Sequence, residues 1–239
     1  MRVDPVSGAV LGGKLQQVYV YEAPVRIWHW LMMVAMFVLI PTGYLIGSPW
    51  SGPREEATFT YFFGNIRTIH FVAAMVFAVA FVVRLYWAII GNHHARAIFI
   101  PPVWSFNWWK GMFGQAMYYL FLRKESALWI GHNPLAQFAM FFMYVLGSIV
   151  IILTGFSLFA EQYGWGSTWM NVFGWVNTLL GGSQMVRTVH HFAMYYLMLF
   201  AVVHMYMVFR EDIMSQQSVV GTMISGVRTF KAGARIEKI

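Results

Sequence analysis

Four long apolar runs dominate the sequence, at Ile27–Ile46, Ile69–Ile90, Leu135–Ala160 and Val189–Phe209. Each is close to the roughly 20 residues that a helix needs to cross a hydrocarbon core about 30 Å thick. Charged residues make up 10% of the chain and apolar residues 59%, against about 25% and 45–50% in a soluble domain. With a mean hydropathy of +0.58, a water-soluble globule and a disordered chain are both excluded. Strands of a membrane barrel would alternate over segments of about 10 residues, and these runs do not. The expected fold is all-α, an integral membrane four-helix bundle. The first run starts too late, and lacks a small-residue cleavage site, to be a signal peptide. Pro41, near the end of the first span, is tolerated there as a kink or local break.

Lysine and arginine set the orientation. Thirteen of the 16 lie in the N-terminal tail, the 91–134 connection, the C-terminal tail or the span ends beside them. Only Arg54, Arg67 and Arg187 lie on the other side. Cytoplasmic segments carry the excess, so both termini are expected in the cytoplasm, with the 47–66 and 161–187 connections outside. The net charge of +7 is therefore a topology signal, with no basic stripe for nucleic acid. Within the 91–134 connection, residues 104–123 are rich in Trp, Tyr and Phe. They read as a helix lying in the cytoplasmic interface. A short fifth span is the alternative, and it would break the charge count. Residues 211–239 read as a cytoplasmic tail.

A weak internal repeat is visible. Pro41-Thr42-Gly43-Tyr44 ends the first span and Leu153-Thr154-Gly155-Phe156 ends the third. Arg67-Thr68-Ile69-His70 opens the second and Arg187-Thr188-Val189-His190 opens the fourth. Either a two-helix hairpin was duplicated about an axis along the membrane normal, or similar punctuation arose twice at helix ends.

The chain has no cysteine, which removes disulfides, thiolate metal sites, iron–sulfur ligation and covalent haem attachment. Metal chemistry falls to the eight histidines. Ionisable residues within a membrane are costly, and a functional role is the default reading. His190 and His204 are 14 residues apart on one predicted helix. At about 100° per residue they point about 40° apart, whereas His191 and His204 diverge by about 140°. The rise between His190 and His204, about 21 Å, is too long for one metal and suits two centres stacked across the membrane. His70 matches His190 in depth near the outer surface, and His29 matches His204 near the cytoplasmic one. Two such pairs in a bundle point to two b-type haems, each held by two imidazoles. His191 reads as a neighbour of the outer haem, and His93 and His94 as residues of the cytoplasmic interface. The alternative is that these histidines pack through hydrogen bonds.

Arg26, Arg67 and Arg187 each stand three residues before a proposed ligand, and Arg210 stands six after His204. Arginine binds carboxylates in a fork, so these residues suit haem propionates. They also suit interface anchors. No phosphate loop, dinucleotide fingerprint, zinc motif or nucleophile elbow is present. Glu22, Glu125, Glu211 and Asp212 all fall near the expected cytoplasmic surface, which argues against paired-carboxylate catalysis inside the membrane.

Tyr21-Glu22-Ala23-Pro24-Val25-Arg26-Ile27-Trp28-His29-Trp30 resembles the opening of the b-type cytochrome subunit of membrane-bound nickel–iron hydrogenases. Gly91-Asn92-His93-His94, Ile130-Gly131-His132-Asn133-Pro134 and Arg210-Glu211-Asp212-Ile213-Met214 resemble the same group. The resemblance spans about residues 18–232. It implies two b haems ligated by His29 with His204 and by His70 with His190. It implies an electron-transfer subunit and anchor in the bacterial inner membrane, not an enzyme for hydrogen on its own. The implied partners are the periplasmic large and small hydrogenase subunits, including a C-terminal membrane helix of the small one. Electrons would run from that subunit's iron–sulfur chain through the outer and cytoplasmic-side haems to membrane quinone.

His132, Asn133 and Gln137 are the candidate quinone-proximal group, Asn133 and Gln137 sharing a helix face. Asn133 followed by Pro134 is equally a helix start. Three rival functions make different predictions. A di-haem anchor of another periplasmic enzyme, such as formate dehydrogenase, would bind another partner. A transporter using histidine relays would show no haem absorbance. A structural anchor would tolerate loss of all four histidines.

Overall fold

The computed structural model describes residues 2–3, 10–12, 15–49, 61–124, 127–215, 218–231 and 236–237. Arg54, Glu125 and most of the 47–66 connection lie outside the described residues. The long apolar runs form four helices long enough to span a membrane. The first is α1 (Ala23–Gly47), continuous through Pro41, and the second is α2 (Phe62–Ile90). After the one-turn α3 (His93–Arg96) comes α4 (Phe106–Tyr119), inside the aromatic stretch. At about 1.5 Å per residue its 14 residues fall well short of the hydrocarbon core. The short strand β4 (Leu128–Trp129) leads into the third span. That span is α5 (Pro134–Ala139), a π-helical stretch at Met140–Val145, and α6 (Leu146–Glu161). Two short helices follow, α7 (Thr168–Phe173) and α8 (Trp175–Leu180), before the last span, α9 (Ser183–Ser215).

The helix starts follow local chemistry. The side chains of Asn92, Ser105, Asn133 and Ser167 cap α3, α4, α5 and α7 by accepting a backbone N–H three residues on. Pro134 occupies the first turn of α5, where a missing N–H costs nothing.

The C-terminal tail adds structure that apolar runs do not signal. It carries α10 (Val219–Ser225) and β5 (Val227–Lys231). β5 pairs antiparallel with β3 (Leu15–Tyr19), in a sheet of order β1-β2-β3-β5 with β1 (Arg2–Val3) and β2 (Val10–Gly12). The strand β6 (Ile236–Glu237) pairs with β4. Val18 and Val20 point inward while Gln17 and Tyr19 point out, the period of a half-buried strand.

The chain divides into two compact units. The first comprises Met1–His29, Arg84–Val145 and Leu199–Ile239. Its core joins Val18, Val20, Tyr21, Val25, Ala95 and Phe230. Glu22 ties it further by accepting from the Trp87 indole and the Asn92 N–H, each at 3.0 Å. α4 turns Trp108, Met112, Gln115 and Tyr118 inward along one face. The second unit comprises Trp30–Val83 and Leu146–Met198. In it α7 packs on α6 through stacked rings of Phe156, Trp169 and Phe173.

Candidate haem-binding sites

In the second unit His70 and His190 are each held by a threonine on another helix. Thr42 Oγ1 donates back to the Val38 carbonyl at 2.6 Å and lies 2.9 Å from His70 Nδ1. Thr154 Oγ1 donates to the Val150 carbonyl at 2.7 Å and lies 2.9 Å from His190 Nδ1. A hydroxyl has one proton to give. With that proton on its own helix, each threonine oxygen accepts from Nδ1–H. The imidazole is then the tautomer whose Nε2 carries a free lone pair, as an iron ligand requires.

The glycine after each threonine completes the arrangement. A Cβ on Gly43 would stand 3.2 Å from His70 Cε1, and one on Gly155 would stand 3.2 Å from His190 Cε1. The repeated Thr-Gly pair is therefore one device used twice: the hydroxyl fixes the ring and the absent side chain makes room for it.

These two histidines line a cavity of about 960 Å³. Its walls are mostly apolar, with Met36, Leu39, Phe71, Ile151, Met194 and Leu197 among them. Arg67, Arg187 and His191 also line it, so both arginines read as propionate partners face this cavity. Arg187 makes an ion pair with Glu161 at 3.2 Å. His191 lies against Gly47, where a Cβ would stand 2.5 Å from its Nε2.

In the first unit the His29 and His204 ring centres are 6.3 Å apart, with planes 55° apart. A metal–imidazole bond is about 2.0–2.1 Å. Adding roughly 1.1 Å from nitrogen to ring centre, two axial ligands on one iron place their centres about 6.3 Å apart. The separation of the pair is one that a shared iron would fit. Phe200 stacks on His204 at 5.6 Å, Tyr144 lies 5.4 Å from Phe200, and Trp28 meets Tyr144 edge-on at 5.8 Å. Tyr144 comes from the π-helical stretch, a distortion that often marks functional sites. Among the described residues, no three His, Asp or Glu converge as a protein-only metal site would need. A haem iron would need only the two imidazoles of such a pair.

The other two predicted arginines have backbone partners. Arg26 donates to the Ile224 carbonyl. Arg210 donates to the Tyr118 carbonyl at 3.1 Å and sits over the Tyr118, Tyr119 and Phe121 rings. Among the described residues, each retains one buried nitrogen without an acceptor, Arg26 Nε and Arg210 Nη1.

The three predicted quinone residues take distinct positions. Asn133 Oδ1 accepts from the Ala136 N–H at 2.8 Å, which is the capping alternative. Gln137 is 3% exposed, and its carbonyl accepts from the Trp108 indole at 2.8 Å. His132 Nδ1 lies 3.0 Å from the Tyr21 hydroxyl. Burial, then the nearby His204, Arg84, His94 and Arg228, push His132 down to about 3. Burial pushes Tyr21 up to about 12. Both are neutral near pH 7. His94 is pushed down to about 4, by burial and then by His93 and Arg228. It packs against Gly131.

In the sequence Thr42 and Thr154 stand out only as repeat punctuation, and Tyr21, Tyr144 and Arg84 carry no role of their own. Arg84 had a signal: it is the one Lys, Arg, Asp or Glu within the 69–90 apolar run.

Most of the chain is similar to known proteins of one kind. The profile of the prokaryotic cytochrome b561 family matches residues 20–226. The probable Ni/Fe-hydrogenase B-type cytochrome subunit of Cupriavidus necator is 48% identical over 226 residues, covering 94% of this chain and 93% of that protein. The protein of the same description from Azotobacter vinelandii is 48% identical over 218 residues, covering 91% of each. The probable Ni/Fe-hydrogenase 1 B-type cytochrome subunit of Escherichia coli K12 is 45% identical over 217 residues, covering 90% of this chain and 92% of the relative.

Proposed function

Because this chain belongs to the prokaryotic cytochrome b561 family, as a b-type cytochrome subunit of nickel–iron hydrogenase, we propose that it carries two b haems. It anchors the hydrogenase pair at the outer face of the bacterial inner membrane and conducts electrons from the small subunit to membrane quinone. His70 and His190 ligate the outer haem and His29 and His204 the cytoplasmic-side one. When bound, haem b supplies a one-electron carrier at each site.

The observation that carries this reading is the 6.3 Å between the His29 and His204 rings. The second site is supported by the matched Thr42–His70 and Thr154–His190 bonds, which leave Nε2 unprotonated on two histidines that line one largely apolar cavity. Arg67 and Arg187 receive propionates of the outer haem, and Arg26 and Arg210 those of the other. The arginine and lysine distribution supports cytoplasmic termini. A membrane helix of the small subunit packs beside the bundle.

Quinone is reduced on the cytoplasmic side beside His132. The neutral His132–Tyr21 pair has a donor for a quinone carbonyl oxygen and an acceptor for the hydroxyl of the quinol. Asn133 holds the start of α5 under it, and Gln137 holds that helix to α4 through Trp108.

The test is an absorbance difference spectrum of membranes holding the chain and its native partners, with hydrogen as the only reductant. A reduced b-type signal, diminished in His70→Ala or His190→Ala and kept in His191→Ala, is expected. A b signal seen with dithionite but never with hydrogen, beside an active and attached hydrogenase, would reject the electron path.

A further inference from the structure

Glu161 is the only Asp or Glu among the described residues of the second unit. It is the last residue of α6, and its side chain is 21% exposed. Oε2 accepts from Ser183 Oγ at 2.8 Å and from Arg187 Nη2 at 3.2 Å. Ser183 opens α9, and Arg187 stands one turn later, three residues before His190. A carboxylate there also meets the positive end of the α9 dipole. This one side chain therefore straps the end of α6 to the start of the helix that carries His190.

The strap is also part of the site, because Glu161 lines the same cavity as His70, His190, Arg67 and Arg187. A partly exposed ion pair adds little to stability. Its effect on an electron in the cavity is another matter. Apolar walls screen charge less than water does, so each charge at the wall biases a redox centre inside. The two guanidiniums favour an added electron, and the carboxylate opposes it. The Arg187 side chain is 57% exposed, which leaves room for a second carboxylate beside Glu161. With one nitrogen held by Glu161, most of its five N–H donors remain for that second partner.

We propose that Glu161 is a positioning residue for the haem held by His70 and His190. It fixes Arg187 for a propionate, and its charge lowers the reduction potential of that iron. This rests on the haem reading given above. A lower potential at this site favours passage of the electron onward to the His29/His204 site.

The test uses the whole hydrogenase complex in its own membranes. Optical redox titration and haem-to-protein ratio are measured for the wild type, Glu161→Gln, Glu161→Asp and Ser183→Ala. His204→Ala, measured alongside, identifies which b signal belongs to His70/His190. Glu161→Gln removes the charge and keeps an oxygen for the Ser183 hydroxyl. It is expected to move only the His70/His190 signal to higher potential, or to abolish that signal while sparing the other. Glu161→Asp is expected to restore it at least in part. Ser183→Ala keeps the charge and is expected to leave the potential where it is. Wild-type potentials in Glu161→Gln with both signals retained would overturn the proposal, as would a downward shift, an equal shift of both signals or loss of both. So would a change in Ser183→Ala as large as that in Glu161→Gln, or a loss that Glu161→Asp does not restore, either of which makes Glu161 a helix strap only. A wild type with one b signal, unaffected by His190→Ala, would instead overturn the two-haem reading itself.

Discussion

Replacing Thr42 and Thr154 by valine removes two hydroxyls while keeping the shape of each side chain. Each Nδ1–H then loses its threonine acceptor at 2.9 Å, keeping only the carbonyl of Leu39 or Ile151. A hydrogen bond of this kind contributes about 0.5–1.5 kcal/mol net. Loss of an outer-shell partner of a metal-bound histidine costs about 10–100-fold in affinity. Each single variant should therefore weaken haem binding at His70/His190 by about tenfold, at the low end of that range because a carbonyl remains. The double variant should approach a hundredfold. The assay is the rate of haem transfer from the purified complex to an excess of a haem-free acceptor globin, with the slow and fast phases assigned using His190→Ala. Thr→Ser at both positions keeps the hydroxyls and should restore most of the retention. If the double valine variant lost haem from the His70/His190 site no faster than wild type, the tautomer argument would be wrong.

Gly43→Ala or Gly155→Ala would push a methyl to 3.2 Å from a ligand ring. Each should lower haem content at that site and broaden its absorbance, read from difference spectra. Gln137→Leu strips the Trp108 indole of its acceptor and should slow quinone reduction while leaving haem content intact; unchanged turnover with quinone would remove Gln137 from the account. His132 and His94 are held neutral, at about 3 and about 4. The unfolded chain then binds more protons than the folded one from about pH 3 up to about pH 6.5, so stability is full above the unfolded value and is lost as pH falls. Melting temperature in detergent should drop between about pH 7.5 and about pH 5, and His132→Asn should flatten part of that drop.

The spans were legible from helix arithmetic, and so was the placing of His29 near His204 and of His70 and His190 at one cavity. Apolar length marks a crossing, and the 14-residue interval between His190 and His204 sets their common face. The threonine role was not legible, because it needs the relative rotation of two helices before Thr42 can be set against His70. The sheet was hidden for a different reason. β3 and β5 are short strands far apart in the sequence, so their pairing leaves no local signal. The π-helical stretch is uniformly apolar, so no periodicity exposes the turn that aims Tyr144 at Phe200. Asn133 carried two readings in the sequence, and its Oδ1 is seen to cap α5.

The most direct test of the central claim is the number of haems per chain, measured by extracting haem b from the purified complex against a protein standard. The account predicts two in the wild type, one in His190→Ala, one in His204→Ala and none when both are changed. One haem per chain in an intact wild type, or two that survive the double change, would contradict it.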